Sequence, residues 1–170
     1  MTDLARYIRD IPDFPKPGIL FKDITPLLAD AAAFRSTVDR LAERFRGRAD
    51  VVLGIESRGF ILGAAVAYAL GTGVAIVRKP GKLPFEKHSA SYALEYGTDT
   101  LEMHRDALTD HHRVLIVDDL LATGGTAAAA IELVRCCGAQ VIACAFVIEL
   151  GSLHGRRRLA DHEVVSLLTY

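Results

Sequence analysis

Apolar residues along the chain follow two periods. At Phe34, Val38, Leu41, Ala42 and Phe45 they recur at i, i+4, i+7, i+8 and i+11, the stripe of a helix packed on a core, with Gly47 ending it. The charged residues of that segment then face water. Four later runs show little alternation: Val51–Ile55, 74–77, 114–117 and 141–148. Runs of this length, rich in Val and Ile, suit strands covered on both faces, as in a parallel sheet. Helical segments at 59–70, closed by Gly71, and 126–137, closed by Gly138, separate the members of each pair. The repeated βαβ order predicts an α/β fold in one domain, 1–170: an open, mainly parallel sheet flanked by helices, with ligands beyond the carboxyl ends of its strands.

Two stretches break the pattern. A short amphipathic segment, 4–11, runs into Pro12-Asp-Phe-Pro-Lys-Pro-Gly18, where three prolines in six residues exclude helix and favour a stiff extended loop. Residues 79–103 begin with Lys79-Pro-Gly-Lys-Leu-Pro84 and continue as alternating pieces at 92–96 and 98–103, a loop and hairpin standing off the sheet.

A chain of 170 residues with 51% apolar and 24% charged residues buries a full core and leaves apolar surface for a subunit interface. The net charge of -1 and pI near 6.6 provide no overall field for nucleic acid or an anionic membrane, so an anionic ligand must meet a local basic cluster. Cys136, Cys137 and Cys144 have no metal spacing and read as reduced packing residues. With no apolar signal core at the N-terminus and no long apolar run, a cytoplasmic location is expected. The Arg156-Arg-Arg158 run reads as solvated, and the six histidines receive no role.

Val114-Leu-Ile-Val-Asp-Asp-Leu-Leu-Ala-Thr-Gly-Gly-Thr126 is the most informative string: a buried strand, an acidic pair, then a small-residue turn opening a helix. Backbone N–H groups of Ala122, Thr123, Gly124, Gly125 and Thr126, with two threonine hydroxyls, suit one phosphate at the helix N-terminus. Asp118 and Asp119 would repel a polyphosphate but suit sugar hydroxyls. The loop lacks the Lys of G-x-x-x-x-G-K-[ST] and is not G-x-G-x-x-G, so nucleoside triphosphate and dinucleotide readings fail. The string resembles the phosphoribosyl-pyrophosphate signature of the type I phosphoribosyltransferases. That resemblance implies their fold, with a small N-terminal hood (1–30) and a flexible catalytic loop and hairpin (79–103), and implies that the acids hold the ribose while the turn holds its 5′-phosphate.

Pro12-Asp-Phe-Pro-Lys-Pro-Gly-Ile-Leu-Phe-Lys-Asp23, Gly54-Ile-Glu-Ser-Arg-Gly-Phe60, Arg78-Lys-Pro-Gly-Lys-Leu-Pro84 and Ser91-Tyr-Ala-Leu-Glu-Tyr-Gly97 extend the likeness over nearly the whole chain, towards the branch of the family that uses adenine. The resemblance implies that adenine stacks on Phe21, with main chain around Leu20 and Lys22 reading its edge. Ser57, Arg58, Arg78, Lys79 and Lys82 would hold pyrophosphate. Glu95 becomes the catalytic carboxylate, helped by Arg58. Mg²⁺ is expected on substrate oxygens with no direct protein ligand, and a homodimer is expected. Relatives often have a non-proline cis peptide in the second of these segments, here at Glu56–Ser57 or Ser57–Arg58. Two alternatives stay open: the same chemistry on a 6-oxo purine, and a regulator that only senses phosphoribosyl pyrophosphate.

Overall fold

The computed structural model describes residues 2–93 and 98–170. After a 3-10 turn at Leu4–Tyr7, strands β1 (Arg9–Pro12) and β2 (Leu20–Asp23) pair antiparallel as a separate two-stranded sheet. The proline segment is therefore not a stiff extended loop but the tip of a hairpin. It curls because Asp13 accepts the Gly18 N–H at 2.7 Å and the Phe14 N–H donates to the Ile19 carbonyl at 3.3 Å. Helices α1 (Thr25–Ala29) and α2 (Ala31–Glu43) follow. Asp30 caps α2 by accepting from Ala32 and Ala33 N–H. Val38, Leu41, Ala42 and Phe45 are buried as the periodicity requires.

All four apolar runs form strands. β3 (Val51–Ile55), α3 (Arg58–Leu70) and β4 (Gly73–Val77) make the first unit; β5 (Lys87–Ala93) and β6 (Thr98–His104) form an antiparallel hairpin; β7 (Arg113–Leu121), α4 (Gly125–Cys136) and β8 (Gln140–Glu149) make the second unit. A fifth strand, β9 (Glu163–Thr169), completes a parallel sheet in the order β4-β3-β7-β8-β9. β7 runs through the acidic pair because Asp118, Leu120 and Leu121 stay paired with Phe146, Ile148 and Glu149 of β8.

Three expectations need correction or refinement. The hairpin does not stand off the sheet: Ala90, Tyr92, Leu101 and Met103 are buried in one core with α4, and Arg78 and Glu102 exchange backbone hydrogen bonds at the exit of β4. All three residues of the arginine run are exposed, as expected, but Arg156 is also held by an ion pair with the buried Glu149. Among the cysteines, Cys144 is core and its thiol is pushed up to about 12 by burial, whereas Cys136 lies exposed at the end of α4. Among the described residues no helix is long and apolar enough to cross a membrane.

Candidate active site

The helices following β3 and β7 cover opposite faces of the sheet. Leu62, Val66 and Ala67 of α3 pack with Val52, Leu115 and Val117, while Ala130, Ile131 and Val134 of α4 pack with Leu53, Val114 and Ile116. Adjacent strands whose chains leave towards opposite faces open a crevice at their carboxyl ends. Glu56, Ser57 and Arg58 leave β3 there, beside Asp118 and Asp119 of β7. Two glycines permit the approach: a Cβ on Gly59 would lie 2.9 Å from both Asp118 Oδ1 and the Val117 carbonyl, and one on Gly54 would lie 2.7 Å from the Gly59 carbonyl.

Arg58 joins three of the expected subsites. Its Nε donates to Asp119, itself buried, and its guanidinium lies 5.5 Å from the centre of the Phe21 ring. Phe21 meets Phe14 edge-on at 5.2 Å, so the proline-rich hairpin tip steadies the ring from behind. Leu20 is half exposed, and Lys22 sends its ammonium back to Asp10 at 2.7 Å and over the Tyr170 ring at 3.8 Å. The main chain of β2 has a partner strand on one side only. The Glu56–Ser57 peptide is cis, one of the two positions expected, and Ser57 is exposed at the start of α3 with its hydroxyl unused as a cap.

Asp118 accepts the backbone N–H of Asp119 at 2.9 Å. Burial, and then the neighbouring Asp119 charge, hold its carboxyl well above the ordinary carboxylate range. Paired carboxyl groups, one of them engaged by Arg58, suit sugar hydroxyls, which both accept and donate.

Ala122 to Thr126 curl around a pocket of about 60 Å³ lined also by Asp118, Leu121 and Phe146. Gly124, at φ 81°, takes the cap position of α4, so no side chain competes for the amides of its first turn. Thr123 is exposed and Thr126 partly so. The volume suits one compact anion at a helix N-terminus.

Across the crevice Arg78 and Lys79 are engaged by carboxylates. Arg78 donates to Glu56 at 3.2 and 3.3 Å, and the Lys79 N–H donates to the same carboxylate at 2.9 Å. The Lys79 backbone bond, then Arg78, hold the Glu56 carboxyl below its usual range. The Lys79 ammonium contacts Asp99, which also accepts Tyr92 Oη–H at 3.0 Å. Burial works against that ammonium, but Asp99 and Tyr92 together outweigh it and raise its pKa. Lys82 is exposed and offers its carbonyl to Arg78 at 3.4 Å.

The family described as phosphoribosyl transferase domain matches residues 23–168. An adenine phosphoribosyltransferase of Syntrophotalea carbinolica is 59% identical over 171 aligned residues, covering 100% of both chains. The chain belongs to the adenine phosphoribosyltransferase family. The crystal structure of the Thermoanaerobacter pseudethanolicus member superimposes with a TM-score of 0.96 at 50% identity, covering 99% of this chain and 98% of that one. The Saccharomyces cerevisiae adenine phosphoribosyltransferase, solved with an imino-altritol bisphosphate and adenine, gives a TM-score of 0.91 at 42% identity, over 97% of this chain and 96% of that one. The chain is accordingly a phosphoribosyltransferase with the type I α/β fold.

Within this adenine phosphoribosyltransferase family member, the structure brings Phe21, Arg58, Asp118, Asp119 and the 122–126 turn to one crevice and ties Arg78 and Lys79 to its rim. Glu95 lies outside the described residues. Sequence reading missed the acids that engage the basic cluster, Glu56 and Asp99. Glu56 was legible in principle, standing directly beside Ser57 at the end of a buried strand; Asp99 was not, because its contact depends on how the hairpin closes over β4.

Proposed function

We propose that this protein transfers the phosphoribosyl group of 5-phosphoribosyl-1-pyrophosphate to adenine, releasing AMP and pyrophosphate as a purine-salvage step. One observation carries the reading: Arg58 bonds a ribose-side carboxylate while lying beside the Phe21 ring, so base, sugar and leaving-group subsites meet around one side chain. Adenine stacks on Phe21, and the β2 main chain around Leu20 and Lys22 presents N–H to N1 and C=O to the 6-amino group, a pattern a 6-oxo purine reverses. Ala122, Thr123, Gly124, Gly125 and Thr126 hold the 5′-phosphate, and Asp118 and Asp119 the ribose hydroxyls.

As the bond from the anomeric carbon to pyrophosphate breaks, positive charge builds on the sugar and negative charge on the leaving group. Arg58, Ser57, Arg78, Lys79 and Lys82 face the departing anion, and the two aspartates favour the cationic ribose. Glu95 exchanges a proton with the purine. The donor set fits Mg²⁺ held through substrate: hard carboxylate oxygens of Asp118 and Asp119 stand beside the sugar, and among the described residues no group of three His, Cys, Asp or Glu side chains could hold an ion alone. When bound, Mg²⁺ would neutralise charge on the pyrophosphate. The segment 79–97 serves as the lid that keeps water from the sugar.

A homodimer is part of the same reading. From Gly59 to Leu70, α3 has no charged residue; its Ile61 and Tyr68 are 49% and 89% exposed, and Val74 and Ile76 of the edge strand β4 are 48% and 38% exposed. A helix apolar all round requires a cover, and a second copy supplies one. Unbridged cysteines fit a reducing cytoplasm.

The deciding assay offers adenine, hypoxanthine, guanine and xanthine separately with phosphoribosyl pyrophosphate and Mg²⁺. AMP formation from adenine alone is expected. Turnover of a 6-oxo purine in its place, or of none, overturns the reading.

A further inference from the structure

The 122–126 turn has a back wall that belongs to neither the substrate nor its own helix. Past β8 the chain makes two 3-10 turns, Gly151–Leu153 and Gly155–Leu159, joined by His154 in the left-handed region at φ 52°. Gly155 is buried directly against the turn. A Cβ there would lie 2.3 Å from the Ala122 carbonyl and 3.1 Å from the Gly124 nitrogen, and a Cβ on Gly124 would lie 2.5 Å from the Gly155 carbonyl. The two backbones are in contact with no room for a side chain on either.

Residue 156 fixes that contact in place. Arg156 Nε donates to Glu149 Oε1 and Oε2 at 2.7 and 2.9 Å, and its Nη2 lies 2.7 Å from Oε2. Nη1 donates to the Val164 carbonyl at 2.8 Å, and Nη2 reaches Ser166 Oγ at 3.5 Å. Glu149 is only 7% exposed at the carboxyl end of β8, so the guanidinium is anchored on β8 and on the edge strand β9 at once. A forked donor on a buried carboxylate fixes direction as well as distance. The Leu150 N–H to the Leu121 carbonyl, at 2.9 Å, fastens the start of the same segment to the end of β7.

We propose that Arg156 and Glu149 are positioning residues for the 5′-phosphate subsite: their ion pair presses the Gly155 backbone onto Ala122–Gly124 and so sets the aim of the turn's amides. The inference rests on the proposed phosphate role of that turn. No member of the pair lines the pocket, so the effect reaches the ligand only through the backbone contact.

The test compares wild type, Arg156→Gln and Arg156→Lys, with Gly155→Ala as the direct probe of the backbone contact. Ribose 5-phosphate binding is measured by calorimetry and KM separately for each substrate. Arg156→Gln is expected to weaken ribose 5-phosphate and raise KM for phosphoribosyl pyrophosphate by about tenfold, the scale of one misaimed charged hydrogen bond, with KM for adenine held within about twofold. Arg156→Lys, which keeps the charge but not the fork, is expected to fall between. Should Arg156→Gln not fold, Glu149→Gln carries the same comparison with its shape kept. Unchanged ribose 5-phosphate affinity in a folded variant overturns the inference, and so does an equal rise in both KM values, which marks general loosening. Wild type that binds neither ribose 5-phosphate nor adenine sinks the proposed function itself.

Discussion

The two sides of the crevice are prepared for anions in opposite ways. The 122–126 turn is built from backbone: a capless helix start, a glycine in the left-handed region and the Gly155 wall behind it, with no side chain that must move. The opposite rim is built from side chains, and three of its cations are already occupied: Arg58 by Asp119, Arg78 by Glu56, Lys79 by Asp99. One side is a fixed mould and the other a set of exchangeable ion pairs. This division suits the reaction, because the 5′-phosphate stays on the sugar throughout while pyrophosphate must be gripped and then released. An ion pair half open to water contributes about 0–1 kcal/mol, little enough for a polyanion to displace it.

The largest expected effect tests the moving side. Glu95→Ala should lower kcat by about 10²-fold or more, the scale of lost general acid–base help. Steady-state turnover near that of wild type would remove Glu95 from the chemistry. Next comes the junction between the two sides. Asp119→Asn takes the charged partner from Arg58 and a carboxylate from the ribose, and kcat/KM for phosphoribosyl pyrophosphate should fall roughly 10- to 100-fold, with charge-assisted bonds worth about 1.5–3 kcal/mol each. An unchanged value for Asp119→Asn and Asp118→Asn alike would end the ribose-holding role.

A smaller change of opposite sign sharpens the contrast. Asp99→Asn frees Lys79 from its resident carboxylate, so pyrophosphate should inhibit more tightly, by up to about fivefold if the pair is worth roughly 1 kcal/mol. Product-inhibition constants equal to wild type would show that Lys79 does not change partners.

The last effect concerns stability. The folded Asp118 carboxyl titrates above its unfolded value of about 3.8. Between those two pKa values the native state holds a proton that the unfolded chain has lost, so stability falls as pH rises through that window and the loss is complete above it. Asp118→Asn removes the penalty. It should raise Tm at neutral pH by about 2–4 °C for each kcal/mol recovered at this chain length, while impairing substrate use. Melting curves across pH that keep the wild-type slope in the variant would contradict this.

How much of this was readable beforehand follows from the range of each interaction. Continuous apolar runs at Val51–Ile55 and through Val141 to Ile148, and glycines closing α3 and α4, are local signals, and they named the elements. The 114–126 string named the phosphate turn because strand, acids and helix start are contiguous there. β9 escaped notice, since its seven residues carry no turn signal or repeat to mark them as a strand and gain their meaning only from pairing with β8. The hairpin was misread as standing off because alternation marks which residues share a face but not which core that face meets.

The sequence by itself determined the two βαβ units, the acidic pair with its glycine turn, and the family to which they belong, because each depends on neighbours along the chain. Only the tertiary structure decided which carboxylate holds which cation, that Arg58 lies beside Phe21, and that Gly155 backs the turn. Those contacts join residues 20 to 61 positions apart in most cases, and an ion pair or a backbone contact leaves no periodicity in sequence; it exists only once the sheet has set its strands side by side.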